Sequence, residues 1–263
     1  ITGSTLNGNI IDSGIITASS HGITIDSASE IAATHTAIWI TGSTFTGGIT
    51  NSGTIAATND IGIKVTNNTQ FGSASAGGGI VNSGTISAAR TAIFVGNVAS
   101  FFGGISNSGT ISAAQGNDIY INVVSTFSGG IINTGMMTEA DGNGIALTGV
   151  STFFGGIVNG AGATISASIR GIYVATFAQF GSSSAGGGIT NSGTISAVDT
   201  GISVFNGSTF AGGISNSGTI SAAQGNDVYI NVVSTFSGGI INTGRMTEAD
   251  GNGIALTGVS TFF

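Results

Sequence analysis

The chain has 263 residues, only 6% of them charged, and 11 acids against four bases (Lys64, Arg90, Arg170, Arg245) give a formal net charge of −7. With no basic cluster to neutralise phosphates, nucleic acid is excluded as a partner, and a 40% hydrophobic content with so little charge excludes ordinary disorder. Cysteine is absent, which removes disulfides and thiolate metal sites, and no apolar run reaches the 18–20 residues of a membrane-spanning helix.

In chain order, Ile1-Thr2-Gly3-Ser4-Thr5 reads in the same phase as Ile40-Thr41-Gly42-Ser43-Thr44, so the chain is expected to begin inside a repeat and to be a segment of something longer, or a mature subunit whose ends are meant to be continued. Leu6 reads as the first member of a Phe column, Gly8-Asn9-Ile10 as the first Gly-Gly-Ile phrase, and Asp12 as the first member of an Asn column. Residues 1–48 read as irregular first coils. Within them Ile23-Thr24-Ile25 and Ile38-Trp39-Ile40 look like equivalent triplets only 15 residues apart, which makes 26–36 resemble a shortened coil.

From there the phrase Gly-Gly-Ile-x-Asn-Ser-Gly-Thr-Ile-Ser-Ala returns regularly. Its first Ile falls at Ile10, Ile49, Ile80, Ile105, Ile131, Ile157, Ile189, Ile214 and Ile240, with successive spacings of 39, 31, 25, 26, 26, 32, 25 and 26. A period near 26 in short β-type phrases is the signature of a solenoid. Four stations recur in each coil: Gly-Gly-Ile-x-Asn, Gly-Thr-Ile-Ser-Ala, an apolar-x-apolar triplet such as Ile172-Tyr173-Val174, and Ser-Thr-Phe. Each alternates apolar and polar residues as a strand with one buried face does, and no stretch sustains a helical period.

Stacking such coils turns each station into a parallel sheet and each inward position into a ladder. One ladder is Phe45, Phe71, Phe101, Phe127, Phe153, Phe180, Phe210, Phe236 and Phe262; another is Asn51, Asn82, Asn107, Asn133, Asn159, Asn191, Asn216 and Asn242. The amides are expected to bond between coils and hold register. Proline is absent, as ladders that use every backbone N–H require.

A longer period overlies the first. Shifting by 109 residues superposes 101–154 on 210–263 with three differences, Phe102/Ala211, Ile119/Val228 and Met136/Arg245. The chain therefore reads as one continuous solenoid of about nine to ten coils over 1–263, with four-coil superrepeats at 49–154 and 155–263. A Ser/Ala/Gly insertion, Gly72-Ser73-Ala74-Ser75-Ala76-Gly77 and again Gly181-Ser182-Ser183-Ser184-Ala185-Gly186, is expected to form a loop every fourth coil.

Functional candidates are few. The outward middle of the third station reads as Thr24, Trp39, Lys64, Phe94, Tyr120, Ala146, Tyr173, Ser203, Tyr229 and Ala255, which gathers the only Trp and all three Tyr. Trp39, Phe94, Tyr120, Tyr173 and Tyr229 are candidates for a lateral contact face or for sugar stacking, although strand propensity also favours aromatics there. Rows of Thr-x-Ser on the second station, as in Thr110 and Ser112, are of the kind seen on ice-binding faces, but Glu139 and Glu248 are expected to interrupt them. Asp118, Asp141, Asp227 and Asp250 are weak calcium candidates, in a chain that lacks the remaining oxygen ligands of a calcium loop. No cofactor is expected. The two histidines, His21 and His35, lie in the first coils and the bases are scattered, so no nucleophile–base–acid arrangement is legible and no enzyme is expected.

The phrase Gly-Gly-Ile-x-Asn-Ser-Gly-Thr-Ile-Ser-Ala, followed by Gly-Ile-x-Val and Ser-Thr-Phe, resembles the passenger repeats of large bacterial autotransporter and adhesin-like surface proteins along essentially the whole chain. What the resemblance implies is a right-handed parallel β-helix, export through a Gram-negative envelope, and a place at the cell surface. Three functions follow as expectations: a structural fibre or stalk built by end-to-end or lateral self-association, an adhesin binding glycans or another surface through the aromatic row, and, more weakly, ice binding.

Overall fold

The computed structural model describes residues 1–263 apart from 13, 19–20, 43, 68–69, 74–77 and 183–186. The described residues form an all-β parallel solenoid without helix. Three sheets, not four, run along it, of nine, ten and 14 strands. The first carries the Gly-Gly-Ile-x-Asn station and the second the Thr-Ile-Ser-Ala station. The third and fourth stations share the remaining sheet, because strands such as Gly116–Phe127 and Gly142–Phe153 pass through both without a break.

A single left-handed residue bends those strands midway. Asn67, Asn97, Val123, Thr176, Asn206 and Val232 all have φ between 51° and 56°, and Gly149 and Gly258 hold the same place in their coils. Such a residue turns the chain while leaving ladder bonds on both sides, as a bulge does. The sharper corner before the first sheet needs glycine. In the pair Gly129-Gly130 φ is +102° and +70°, and a Cβ on Gly130 would lie 2.6 Å from the Gly155 carbonyl oxygen and 2.7 Å from that of Gly156 in the next coil. Coils stack too closely there for any side chain.

The interior is a set of ladders at the strand spacing. Phe45 through Phe236 are each 0% exposed, with successive rings stacked at 4.6–5.0 Å. The Ile columns of the first and second sheets flank them, for example Ile105–Ile131–Ile157 and Ile55–Ile86–Ile111. Between lies the Asn column, buried from Asn51 to Asn216. Each Nδ2 donates to the Oδ1 of the next Asn at 2.7–2.9 Å, and in most coils also to two backbone carbonyls. All these amides point the same way along the axis.

The first coils differ from the sequence reading. Ile23-Thr24-Ile25 pairs with Ile49-Thr50-Asn51, so it belongs to the first station, 26 residues before Ile49, and the apparent spacing of 39 disappears. Ile10-Ile11-Asp12 pairs with Ile38-Trp39-Ile40 in the third station; Leu6 pairs with Ile31 in the second; Ile16 begins the Phe column by pairing with Phe45. Thr5 accordingly aligns with Glu30, not with Thr44. Asp12 is not the head of the Asn column. Ile25 stands there, which leaves the buried Asn51 Oδ1 with no donor. Residues 26–36 are the turn and second-station strand of a normal coil, since Glu30-Ile31-Ala32-Ala33 pairs with Thr54-Ile55-Ala56-Ala57. The expected insertion loops fall mostly outside the described residues.

Candidate contact face and groove

The outward middle column of the third sheet is Ile11, Trp39, Lys64, Phe94, Tyr120, Ala146, Tyr173, Ser203, Tyr229 and Ala255, with Ile11 in the place expected for Thr24. Neighbours 4.8 Å apart along a parallel sheet must touch, and these side chains cover one another. The Lys64 ammonium sits over the Trp39 ring at 4.6 Å from its centroid, and Trp39 Nε1 donates to Thr66 Oγ1. Phe94 and Tyr120 meet at 5.5 Å with a 55° tilt, and Thr148 donates its hydroxyl to the Tyr120 oxygen at 3.2 Å. The Arg170 guanidinium lies over Tyr173 at 4.7 Å and reaches Asp199 at 3.4 Å. The five aromatic candidates therefore share one face, half-buried and mutually supported.

Beside Ser203 this row opens. Ser203 stands between Tyr173 and Tyr229, and above it is an open groove of about 340 Å³ lined also by Arg170, Phe205 and Asn226. The superperiod shows how it arises. Shifted by 109 residues, Ser203-x-Phe205 corresponds to Phe94-x-Gly96. In the earlier unit the Phe94 ring leans over Gly96, so that a Cβ there would lie 2.5 Å from the ring. In the later unit the aromatic has moved two residues along and left the small Ser203 in the column, covered by its neighbours. Arg170, Ser203, Phe205 and Asn226 were not singled out in the sequence; the exchange of Phe-x-Gly for Ser-x-Phe was the signal that marked them.

The calcium candidates separate into two pairs. Asp141 and Asp250 are exposed, whereas Asp118 and Asp227 are 0% exposed and turned inward, where each Oδ1 accepts a backbone N–H, from Ala113 at 2.8 Å and from Ala222 at 2.9 Å. Each buried Oδ2 receives no donor. Glu139 and Glu248 do not lie on the hydroxyl face as expected. Strand alternation puts them in the inward column filled by Ala113 and Ala222, and Glu139 is 6% exposed. The Thr column is interrupted instead by Glu30, Met136 and Arg245. Among the described residues no group of three or more acidic or histidine side chains comes together as a metal site. His21 opens a strand of the first sheet and His35 lies in an exposed bend.

Burial pushes the Asp118 carboxyl well above the usual carboxylate range, and the nearby Glu139 charge adds to it. For the same two reasons Asp227, beside Glu248, is pushed up to about 7. The folded state thus binds protons that the unfolded chain, with ordinary aspartates, has released. Stability is greatest below the ordinary value and falls as the pH rises through the folded one. Thermal midpoints are expected to be higher at pH 5 than at pH 8, and Asp118→Asn, which needs no proton, should raise the midpoint at pH 8 by roughly several degrees. Equal midpoints for the variant and the parent at pH 8 would contradict this.

Comparison with protein-family models, with curated proteins and with solved structures finds no match.

Proposed function

We propose that the chain is a structural rod of a cell-surface protein, non-enzymatic and exposed outside a Gram-negative cell. The observation that carries this reading is the unbroken in-register stacking of the Phe and Asn ladders. A structure in which each coil contacts only its neighbours gains length with every repeat and needs no enclosed centre. The 109-residue superperiod supports the same reading, since units this alike extend a rod by duplication. The resemblance of the repeat phrase to autotransporter and adhesin-like passengers supports placement at the surface. No described helix is long and apolar enough to cross a membrane.

The test uses cells that naturally produce the chain. Antibody raised against residues 155–263 should label intact cells, and protease added outside should remove the signal. Labelling only after the cells are broken open would overturn the placement. A second reading, recognition of a small ligand, is favoured by one observation, the groove beside Ser203.

A further inference from the structure

We propose that the groove between Tyr173 and Tyr229 is a binding site for one ring of an uncharged glycan. It goes beyond the rod reading and does not depend on it. Ser203 is 3% exposed, a floor covered by the larger side chains on either side. Tyr173 and Tyr229 stand in the coils before and after it, two strand spacings or about 9.6 Å apart along the axis. The groove volume of about 340 Å³ is at the small end of ligand sites, suited to one ring and its substituents.

The charge pattern selects the ligand class. The one cation in the groove, Arg170, is already paired with Asp199 at 3.4 Å and stacked on Tyr173, so the site carries no free positive charge for an anion. What remains is aromatic surface beside donors and acceptors: the Tyr hydroxyls, the Asn226 amide, and the outward atoms of the ion pair. A saturated polyol ring matches both, with C–H bonds against the aromatic walls and hydroxyls toward the polar groups. An aromatic peptide side chain would match only the walls. Phe205 closes one side, in the place where Gly96 of the earlier unit leaves room for the Phe94 ring.

The same column supplies the blocking variant. Ser203→Phe combined with Phe205→Gly restores the Phe-x-Gly that Phe94 and Gly96 provide one superrepeat earlier, in a fold that already accommodates it. Methyl glycosides of glucose, galactose, mannose and N-acetylglucosamine would be titrated by saturation-transfer NMR, beside glucuronate and N-acetyl-tyrosinamide as charged and aromatic probes. At least one neutral glycoside is expected to bind, and the double variant Ser203→Phe/Phe205→Gly and the single variant Tyr229→Ala should each weaken it at least about tenfold with unchanged circular dichroism. The proposal is overturned if no neutral glycoside binds at roughly tens of millimolar. It is equally overturned if Ser203→Phe/Phe205→Gly binds as the parent does, or if glucuronate or the aromatic amide binds more tightly than every neutral glycoside. None of these results bears on cell-surface labelling, so failure here and failure of the rod reading are separable.

Discussion

Asn133→Asp is expected to destabilise the fold by about 4 kcal/mol or more at neutral pH. Asn133 is 0% exposed, and its Nδ2 donates to Asn159 Oδ1 at 2.9 Å, to Gly135 O at 3.3 Å and to Thr164 O at 3.1 Å. A carboxylate has no hydrogen to give, so the buried Asn159 Oδ1 loses its donor, at about 1–3 kcal/mol, and two backbone carbonyls lose one of theirs, although Gly135 O keeps Thr164 N at 3.0 Å; a buried charge is also left beside the Asn159 oxygen. The donors to its own oxygen, Asn107 Nδ2 at 2.8 Å and Gly135 N at 3.3 Å, are kept, which limits the loss. Protonating the new carboxyl returns one O–H donor. The variant should therefore regain stability relative to the parent as the pH falls, and denaturant midpoints of both by circular dichroism at pH 4.5 and 7.5 would show it. A cost under about 1 kcal/mol at pH 7.5 would mean the amide column does not hold the coils together.

Phe153→Ala should cost about 3–5 kcal/mol, the usual range for emptying a buried aromatic site. Phe153 is 0% exposed and stacks on Phe127 at 5.0 Å and Phe180 at 4.8 Å. Because coils contact only their neighbours, the damage should be local, with hydrogen exchange accelerating first in the flanking coils. Phe153→Ile should cost less, since Ile16 already fills this column beside Phe45. If Ala and Ile cost the same, the column is not packed as described.

Most of the fold was legible because inward residues repeat at fixed spacing. From Phe45 and Ile49 onward the Phe, Ile and Asn columns follow directly from counting. The first coils were misread because an apolar-x-apolar triplet is degenerate: Gly8-Asn9-Ile10 imitates Gly-Gly-Ile, and Ile23-Thr24-Ile25 fits either of two stations. The decisive clue was the match of Glu30-Ile31-Ala32-Ala33 to Thr54-Ile55-Ala56-Ala57, which fixes the count. Glu139 was legible too, since its position after inward Met137 and outward Thr138 sends it inward by alternation.

The union of the third and fourth stations in one sheet was not legible. It depends on single left-handed residues whose type varies among Asn, Val, Thr and Gly, so no one residue announces the bend. The groove was equally hidden. Ser203 looks like an ordinary outward serine until its neighbours in the coils before and after are known. Its burial belongs to the stack, not to the strand.

The measurement closest to the central claim changes the number of coils. A second copy of residues 155–263 inserted after Phe154 joins Phe263 to Gly155, a junction the chain already contains as Phe154-Gly155. If repeats build a rod, small-angle scattering should show the particle longer by about 19 Å, four strand spacings, at unchanged cross-section. An unchanged length, or a second compact body beside the first, would contradict it.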